Sequence, residues 1–311
     1  MLEGLQITAR QTLILFLLMA FGAGARWTRI LDGQSVKKLT DFVLIIVTPC
    51  LIVTSFQRPF EASALAGLGI AFVSAFACHL LGILYSHLGV RDRNEVRKRQ
   101  LCFATAFSNA GFMGFPLEYA LLGPDGVFYG SVYVVVFHLL CWTYGVWEIR
   151  GGFGDTNVAL SFVNPGVVGI VLGFPLFLLS WKLPGVIAEP VKTVGDLNTS
   201  LSMVVTGFHL GGARFSAALA CPWTYLTLGL RHLLVPATAV AVLFLFPGID
   251  TTVRLATVIP AAAPVGASVT MFSVRYGLDG EFPAALVAVS TLLSILTMPV
   301  VVGIAKSLYG G

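Results

Sequence analysis

Charge interrupts this chain so seldom that its long apolar runs dictate what it can fold into. Bounded by charge, Gly or Pro, the runs of the first half are Ile7–Ala25, Leu39–Phe56, Ala64–Ser86, Gln100–Leu122 and Gly126–Trp147. Those of the second half are Pro165–Trp181, Val194–Gly211, Trp223–Phe246, Leu255–Tyr276 and Phe282–Leu308. A helix needs about 20 apolar residues to cross a bilayer, and these runs approach or exceed that length. Only 11% of the 311 residues are charged, against roughly 25% in a soluble domain, and mean hydropathy is +0.88. No packing of soluble helices could leave such a chain a wettable surface, so lipid is its solvent. Spanning structures are helices or closed barrels, and barrel strands alternate apolar with polar residues, which these runs do not. The sequence therefore predicts an all-α integral membrane protein of ten helices.

Charge placement sets the orientation. Loops after helices 1, 3, 5, 7 and 9 carry twelve of the Lys and Arg residues, the opposite face six, and Arg231 lies within a run. Positive charge stays inside, so both termini are expected outside a cytoplasmic (inner) membrane. The positives are scattered through short loops, which argues against nucleic acid as a partner. Ala23-Gly24-Ala25 has the look of a signal-peptidase site, but an internal repeat requires the first helix in the mature protein. The five cysteines stand singly in or beside apolar runs without metal-site spacing, and read as small buried hydrophobes.

That repeat appears when the chain is shifted by 154 residues: Gly123-Pro-Asp-Gly126 falls on Gly277-Leu-Asp-Gly280, and Phe128, Val135, Leu139, Thr143 and Val146 fall on Phe282, Val289, Leu293, Thr297 and Val300. Val36, Lys37, Asp41 and Phe60 pair with Val191, Lys192, Asp196 and Phe215 at an offset of 155. The chain divides into a first repeat, 1–150, a cytoplasmic linker, 151–164, and a second repeat, 165–311. Five helices is an odd number, so the second repeat enters the membrane from the other side. Inverted halves of this kind are characteristic of secondary transporters.

Helices 4 and 9 occupy equivalent places and are the most interrupted. Helix 4 reads Ser108-Asn109-Ala110-Gly111-Phe112-Met113-Gly114-Phe115-Pro116; helix 9 carries Pro260, Pro264, Gly266 and Ser268. Proline removes a donor and frees a carbonyl, which is costly in lipid unless the segment faces protein or a wet cavity. One such cluster is an ordinary kink; two in matching places predict discontinuous helices that cross near the midplane. Each then offers a half-helix N-terminus to an anion. The candidate substrate contacts are Asn109, Ala110, Gly111, Pro116, Pro260, Pro264, Ser268 and Thr270. Asn109 has a structural alternative, a hydrogen bond between helices.

Ionisable residues inside the runs are few and are functional candidates. Arg231 could attract an anion or pair with a helix C-terminus or an acid. His138 and His232, with His79 and His209, are proton-carrier candidates that are also acceptable as structural histidines. Glu118 is the acid near a helix break and could move protons or balance Arg231. Asp41 and Asp196 read as N-caps of helices 2 and 7. Gly169-xxx-Gly173 and Gly207-xxx-Gly211 suit close helix packing within the fold or across a dimer. HExxH, GxSxG and Walker A motifs are all missing, as is a metal-spaced His or Cys cluster, so neither an enzyme nor a metal or other cofactor is expected.

The stretch from Ser108 to Leu117, followed by Leu122-Gly123-Pro124-Asp125-Gly126, resembles the helix 4 signature of the auxin efflux carrier family of plant carriers and bacterial permeases. Val47-Thr-Pro49, Asn164-Pro165, Arg231-His-Leu-Leu-Val-Pro236, Ile259-Pro260 and Ser290 to Pro299 extend the resemblance along the chain. The resemblance implies an inverted five-plus-five arrangement similar to bile-acid symporters and sodium–proton antiporters. Helices 1, 2, 6 and 7 would form a scaffold, often dimeric, and helices 3–5 and 8–10 a moving transport domain. The substrate would be a small organic anion at the helix 4/9 crossover, a dicarboxylate such as malonate or malate, or an auxin-like weak acid. The short linker points to a bacterial-type permease. Coupling to sodium, to protons or to neither stays open. The competing function is a non-transporting receptor or sensor on the same fold.

Overall fold

The computed structural model describes residues 2–152 and 165–309. Among them every regular element is helical, and the one β-type pairing is an isolated antiparallel bridge between Ser108 and Val265. The linker expected at 151–164 lies outside the described residues beyond Gly152, as does Asn164 before helix 6.

Each apolar run is occupied by helix. The elements of the first half are α1 (Leu2–Trp27), α2 (33–55), α3 (Ala62–Gly89), α4a (Glu95–Ala106), α4b (110–122) and α5 (Pro124–Arg150). Those of the second half are α6 (Pro165–Leu178), α7 (Gly185–Leu210), α8 (Pro222–Leu243), α9a (Thr251–Ala262), α9b (Ser268–Arg275) and α10 (Glu281–Tyr309). Five helices, α1, α3, α5, α8 and α10, are continuous, long and apolar enough to cross a membrane. The fourth and ninth fall short because each is cut in two. α6 has 14 residues, and α7 opens on polar turns bearing Glu189, Lys192 and Asp196.

Helix ends depart from the sequence expectation at α2 and α7. Asp32, not Asp41, caps α2, accepting the Ser35 N–H over 2.7 Å. α7 begins behind Pro184, and Asp196 lies inside it, paired with Lys192 at 2.6 Å and accepting from the Tyr119 hydroxyl at 3.3 Å. Both helices run on past their apolar stretch into polar surroundings, so the edge of an apolar run marks a change of solvent rather than a helix end.

Three helices widen into a π turn just before a proline: Val43–Val47 before Pro49, Ala110–Gly114 before Pro116 and Leu230–Leu234 before Pro236. In each, the residue preceding the proline donates its N–H to the carbonyl five residues back. Proline's ring collides with the carbonyl four back and its nitrogen donates nothing, and the wider turn accommodates both faults. A fourth π turn, Cys141–Gly145 in α5, has no proline behind it.

Small residues let helices approach closely. A Cβ on Gly207 would run into the Met19 backbone of α1, and one on Gly211 would stand 3.0 Å from Ala23. A Cβ on Gly169 would stand 3.0–3.2 Å from Pro49 and Ile52 of α2, and one on Gly173 would stand 3.0–3.2 Å from Phe56 just past its end. Both small-residue pairs are thus used inside the fold. α1 packs on α7, α6 and α7 pack on α2, and α1 also lies along α10. α3 packs on α4a, α5 and α8, while α9a sits among α3, α5 and α10. Large apolar side chains left exposed, such as Leu13, Leu17 and Phe21 of α1 and Val171 and Leu172 of α6, are those a lipid-facing surface carries. Gly123 (φ 66°) and Gly277 (φ 73°), which the repeat places in register, both adopt the left-handed backbone that favours glycine.

At the Lys/Arg-rich end, the loop between α3 and α4a is held by Arg97, whose Nε and Nη2 donate to Asp92 over 2.5 and 2.9 Å. The Arg97 hydrogen bond holds the Asp92 carboxyl below its usual range.

Candidate functional site

The breaks in helices 4 and 9 meet. The Asn109 N–H donates to the Pro264 carbonyl over 2.7 Å, and the Gly266 N–H donates to the Phe107 carbonyl over 3.0 Å. This antiparallel contact gives partners to backbone groups that the interrupted helices would leave bare in a membrane. In helix 4 the interruption falls at Phe107–Asn109, not at Pro116. Pro116 lies in the first turns of α4b and accounts instead for the π turn ahead of it.

Two carboxyl ends, those of α4a and α9a, are answered by one cation. Arg231 is 0% exposed. Its Nη1 donates to the Thr105 and Ala106 carbonyls over 3.2 and 3.4 Å, and its Nη2 donates to the Ala261 carbonyl. These are among the last carbonyls of each half helix, which have no partner of their own and carry the negative end of the dipole. Of the roles the sequence left open for Arg231, this geometry is the pairing with a helix C-terminus, made twice.

His232, next in the same π turn, serves a neighbouring part of the crossing. Ser290 Oγ of α10 accepts the Val265 N–H over 2.8 Å and lies 2.8 Å from His232 Nε2; His232 Nδ1 lies 2.9 Å from Thr297 Oγ1. Thr297 donates its own proton to the Leu293 carbonyl over 3.3 Å. The network therefore places the ring proton on Nδ1, with Ser290 donating to Nε2. His79 is occupied on one side only: its Nδ1 lies 2.7 Å from the Ala75 carbonyl, while its Nε2 is buried without a hydrogen-bond partner.

The amino ends face elsewhere. Neither α4b nor α9b has a side-chain cap, and both reach one cavity of about 160 Å³. Gly111 and Phe112 of α4b and Ser268 and Met271 of α9b form one wall, and His138 and Trp142 of α5 adjoin them. Val43 and Thr48 of α2 and Ser202 of α7 face them from the other side. The lining is mainly apolar and aromatic, but Ser268 Oγ, Ser202 Oγ and His138 Nδ1 are buried without a hydrogen-bond partner. A Cβ on Gly111 would meet nothing within 4 Å, so the cavity comes directly to the α4b backbone. In α9b the Val269 and Thr270 N–H groups already donate to the Gly266 and Ala267 carbonyls, so it is chiefly the first-turn N–H groups of α4b, which have no acceptor within the helix, that border this enclosure, whose lining holds no cation.

Of the residues singled out from sequence as substrate contacts, Gly111 and Ser268 line this cavity and the others do not. Asn109 is buried at the crossing. Ala110 is packed in the core, Pro116 is buried within α4b, and Pro260 lies against Gly114, whose added Cβ would be 3.3 Å away. Pro264 contributes its carbonyl to Asn109. Thr270 Oγ1 is buried without a partner, outside the lining. The wall formed by Thr48 and Ser202 carries no sequence signal, since single hydroxyls in apolar helices are ordinary; Thr48 is set by Asn198, whose Nδ2 donates to it over 3.1 Å.

Glu118 sits two turns further along α4b. It is 0% exposed, and neither carboxylate oxygen has a hydrogen-bond partner. It fits against α5 because residue 130 is glycine: a Cβ there would overlap the carboxylate.

The profile of a family described as "Membrane transport protein" matches residues 8–158 and 153–302. The chain belongs to that family. This is the auxin efflux carrier-like family that its helix 4 motif resembles. The transporter is similar to a protein of Methanothermobacter thermautotrophicus named as an uncharacterized transporter, with 25% identity over 280 residues, 87% of this chain and 89% of the relative. It is also similar to an uncharacterized transporter of Methanocaldococcus jannaschii, with 23% identity over 303 residues, 92% of this chain and 95% of the relative. Family and apolar helices together make it a multi-pass membrane transporter.

Proposed function

We propose that this transporter is a secondary carrier for a small organic anion, bound where the amino ends of α4b and α9b converge. That convergence on one enclosed cavity is the observation that carries the proposal. Backbone N–H groups at the two ends supply the partial positive charge for a carboxylate, and Phe112, Phe137, Trp142 and Phe272 enclose the rest of the molecule. A single anion-holding corner in an apolar cavity favours a weak acid with an apolar body over a dicarboxylate.

The helices form ten crossings in two inverted sets of five, with the odd-numbered loops in the cytoplasm and both termini outside the inner membrane. The matching left-handed glycines at 123 and 277 support the repeat. α1, α2, α6 and α7 form the scaffold, where a second copy docks, and α3–α5 with α8–α10 form the moving domain. The cavity lies between α2 and α7 on one side and α4b, α5 and α9b on the other, where sliding of one group past the other gives alternating access. A buried carboxyl without a partner is tolerated only when neutral, so Glu118 favours a proton over sodium as the coupling ion.

The test is flux of labelled weak acids and dicarboxylates into liposomes holding the purified protein. Gly111→Leu adds a side chain whose Cβ meets nothing within 4 Å and whose branch enters the cavity, and it should abolish flux. Unimpaired flux by a folded Gly111→Leu protein sinks the site, and specific binding without flux in the unmodified protein favours a receptor.

A further inference from the structure

Three side chains that the carrier site does not use converge at the Lys/Arg-rich end of the bundle. His87 lies in the last turn of α3, Glu148 in the last turn of α5, and Cys102 on the intervening α4a. One ligand atom from each, imidazole nitrogen, thiol sulfur and carboxylate oxygen, lies within 4.8 Å of the other two. His87 Nε2 is 3.2 Å from Glu148 Oε2. The Tyr144 hydroxyl stands between them, 2.5 Å from the nitrogen and 2.9 Å from the oxygen. Cys102 and Glu148 are buried, whereas the His87 side chain is 41% exposed, which leaves one way in.

Cys102 comes 15 positions after His87 and Glu148 comes 46 after Cys102, so no sequence motif announces the cluster; folding assembles it. Its chemistry is selective. Thiolate and imidazole are poor ligands for magnesium or calcium, which take oxygen, and together with a carboxylate they make a donor set for zinc. Zinc bonds of about 2.0–2.3 Å place tetrahedral ligands roughly 3.3–3.7 Å apart. The His87–Glu148 pair already has that spacing, and Cys102 needs an approach of about 1 Å. Charge also balances, since one thiolate and one carboxylate neutralise a divalent ion at the edge of a low-dielectric region. The nearby cations do not compete: Lys98 lies 3.6 Å from Glu95, and Arg99 donates to the Arg150 carbonyl over 3.4 Å.

We propose that His87, Cys102 and Glu148 form a zinc site, with a fourth position open beside the Tyr144 hydroxyl, that ties together the ends of α3, α4a and α5. Binding displaces the thiol proton and leaves the Tyr144 hydroxyl to donate to Glu148. All three ligands come from helices assigned to the moving domain, so the ion would hold that domain together through its excursion.

The experiment uses the whole purified protein, stripped with a chelator and titrated with Zn2+, with Mg2+ as control. One Zn2+ per chain should bind, and Co2+ in its place should give the near-ultraviolet charge-transfer band of a thiolate–metal bond. Cys102→Ser should remove that band, and both Cys102→Ser and His87→Ala should weaken Zn2+ binding by more than about 100-fold, above the 10–100-fold that loss of a mere supporting contact costs. Alanine at Cys50, Cys78, Cys141 and Cys221 together should leave both intact. No stoichiometric zinc, or no thiolate band in the unmodified protein, overturns the proposal without reliance on any variant. Unchanged affinity in folded Cys102→Ser overturns it as well.

Discussion

A Cβ added to Gly266 would stand 2.8 Å from the carbonyl oxygen of Ser108 and 3.1 Å from its carbonyl carbon. The two backbones cross at the one place where the chain can offer no side chain. Gly266→Ala should therefore push the strands of the crossing apart and cost about 1–3 kcal/mol, as overpacking a close contact does. Thermal unfolding in detergent measures it; a midpoint equal to that of the unmodified protein would mean that the crossing yields freely.

Arg231 has three carbonyl partners on two half helices. Arg231→Met keeps much of the volume and leaves the Thr105, Ala106 and Ala261 carbonyls to share no cation. The expected loss is about 3 kcal/mol, since a buried acceptor stripped of a charged donor costs roughly 1–3 kcal/mol or more. Arg231→Lys, which keeps the charge but loses the planar fork, should recover part of it. If Arg231 instead contacted the substrate, both variants would lose anion affinity with little change in unfolding temperature.

For Glu118, the decisive comparison separates coupling from binding. Glu118→Gln keeps the shape against Gly130 and cannot release a proton. Uptake driven by a pH gradient should fall at least tenfold, while exchange of labelled for unlabelled anion proceeds. Gradient-driven uptake at the normal rate would remove Glu118 from coupling and leave the anion site standing.

Asp92 lies outside the membrane segments, so its behaviour with pH is read as stability. Its carboxyl is held below the usual value of 3.8 chiefly by the Arg97 hydrogen bond. The folded state thus gains from ionisation; the gain is complete above the unfolded pKa and vanishes as pH drops through the lowered folded value. Asp92→Asn should lower stability by about 1 kcal/mol at neutral pH, a modest figure because Arg97 is partly in water. The two unfolding curves should converge as pH falls through the lowered folded value. A constant difference down to that pH would trace the loss to packing instead.

Much of this was visible in the residues. Each of the ten apolar runs holds helix, and five of them are long and apolar enough to cross a membrane, because hydropathy reports the solvent; the paired Pro-Gly clusters do mark the two helices that break. The location of the break was not visible. Pro116 disturbs the hydrogen bonds behind it, and that disturbance is absorbed in a π turn, while the chain parts at Phe107–Asn109, where a partner segment can pair with it. Partners so distant in sequence leave no local trace. Asp41 and Asp196 looked like caps because they stand at the edge of an apolar run, which the helix runs past, and Thr48 and Ser202, ordinary hydroxyls in apolar helices, gave no sign that they face the cavity. His87, Cys102 and Glu148 are silent too, since their meeting depends on how three helix ends are laid side by side.

The wide turns ahead of Pro49, Pro116 and Pro236 have a consequence for numbering along the helices. Each holds one residue more than an α-helical turn would, and each residue of an α-helix advances the face by about 100°. Helical wheels drawn on the two sides of such a turn are therefore out of phase, and a stripe followed straight through it lands on the wrong neighbour. Deleting a single residue within 230–234 would remove the extra one and let the helix close into regular geometry with both flanks in place, whereas deleting one in a regular stretch would swing a flank by about 100° away from its contacts. Where along the helix a one-residue gap falls decides whether it closes a turn or rotates a flank.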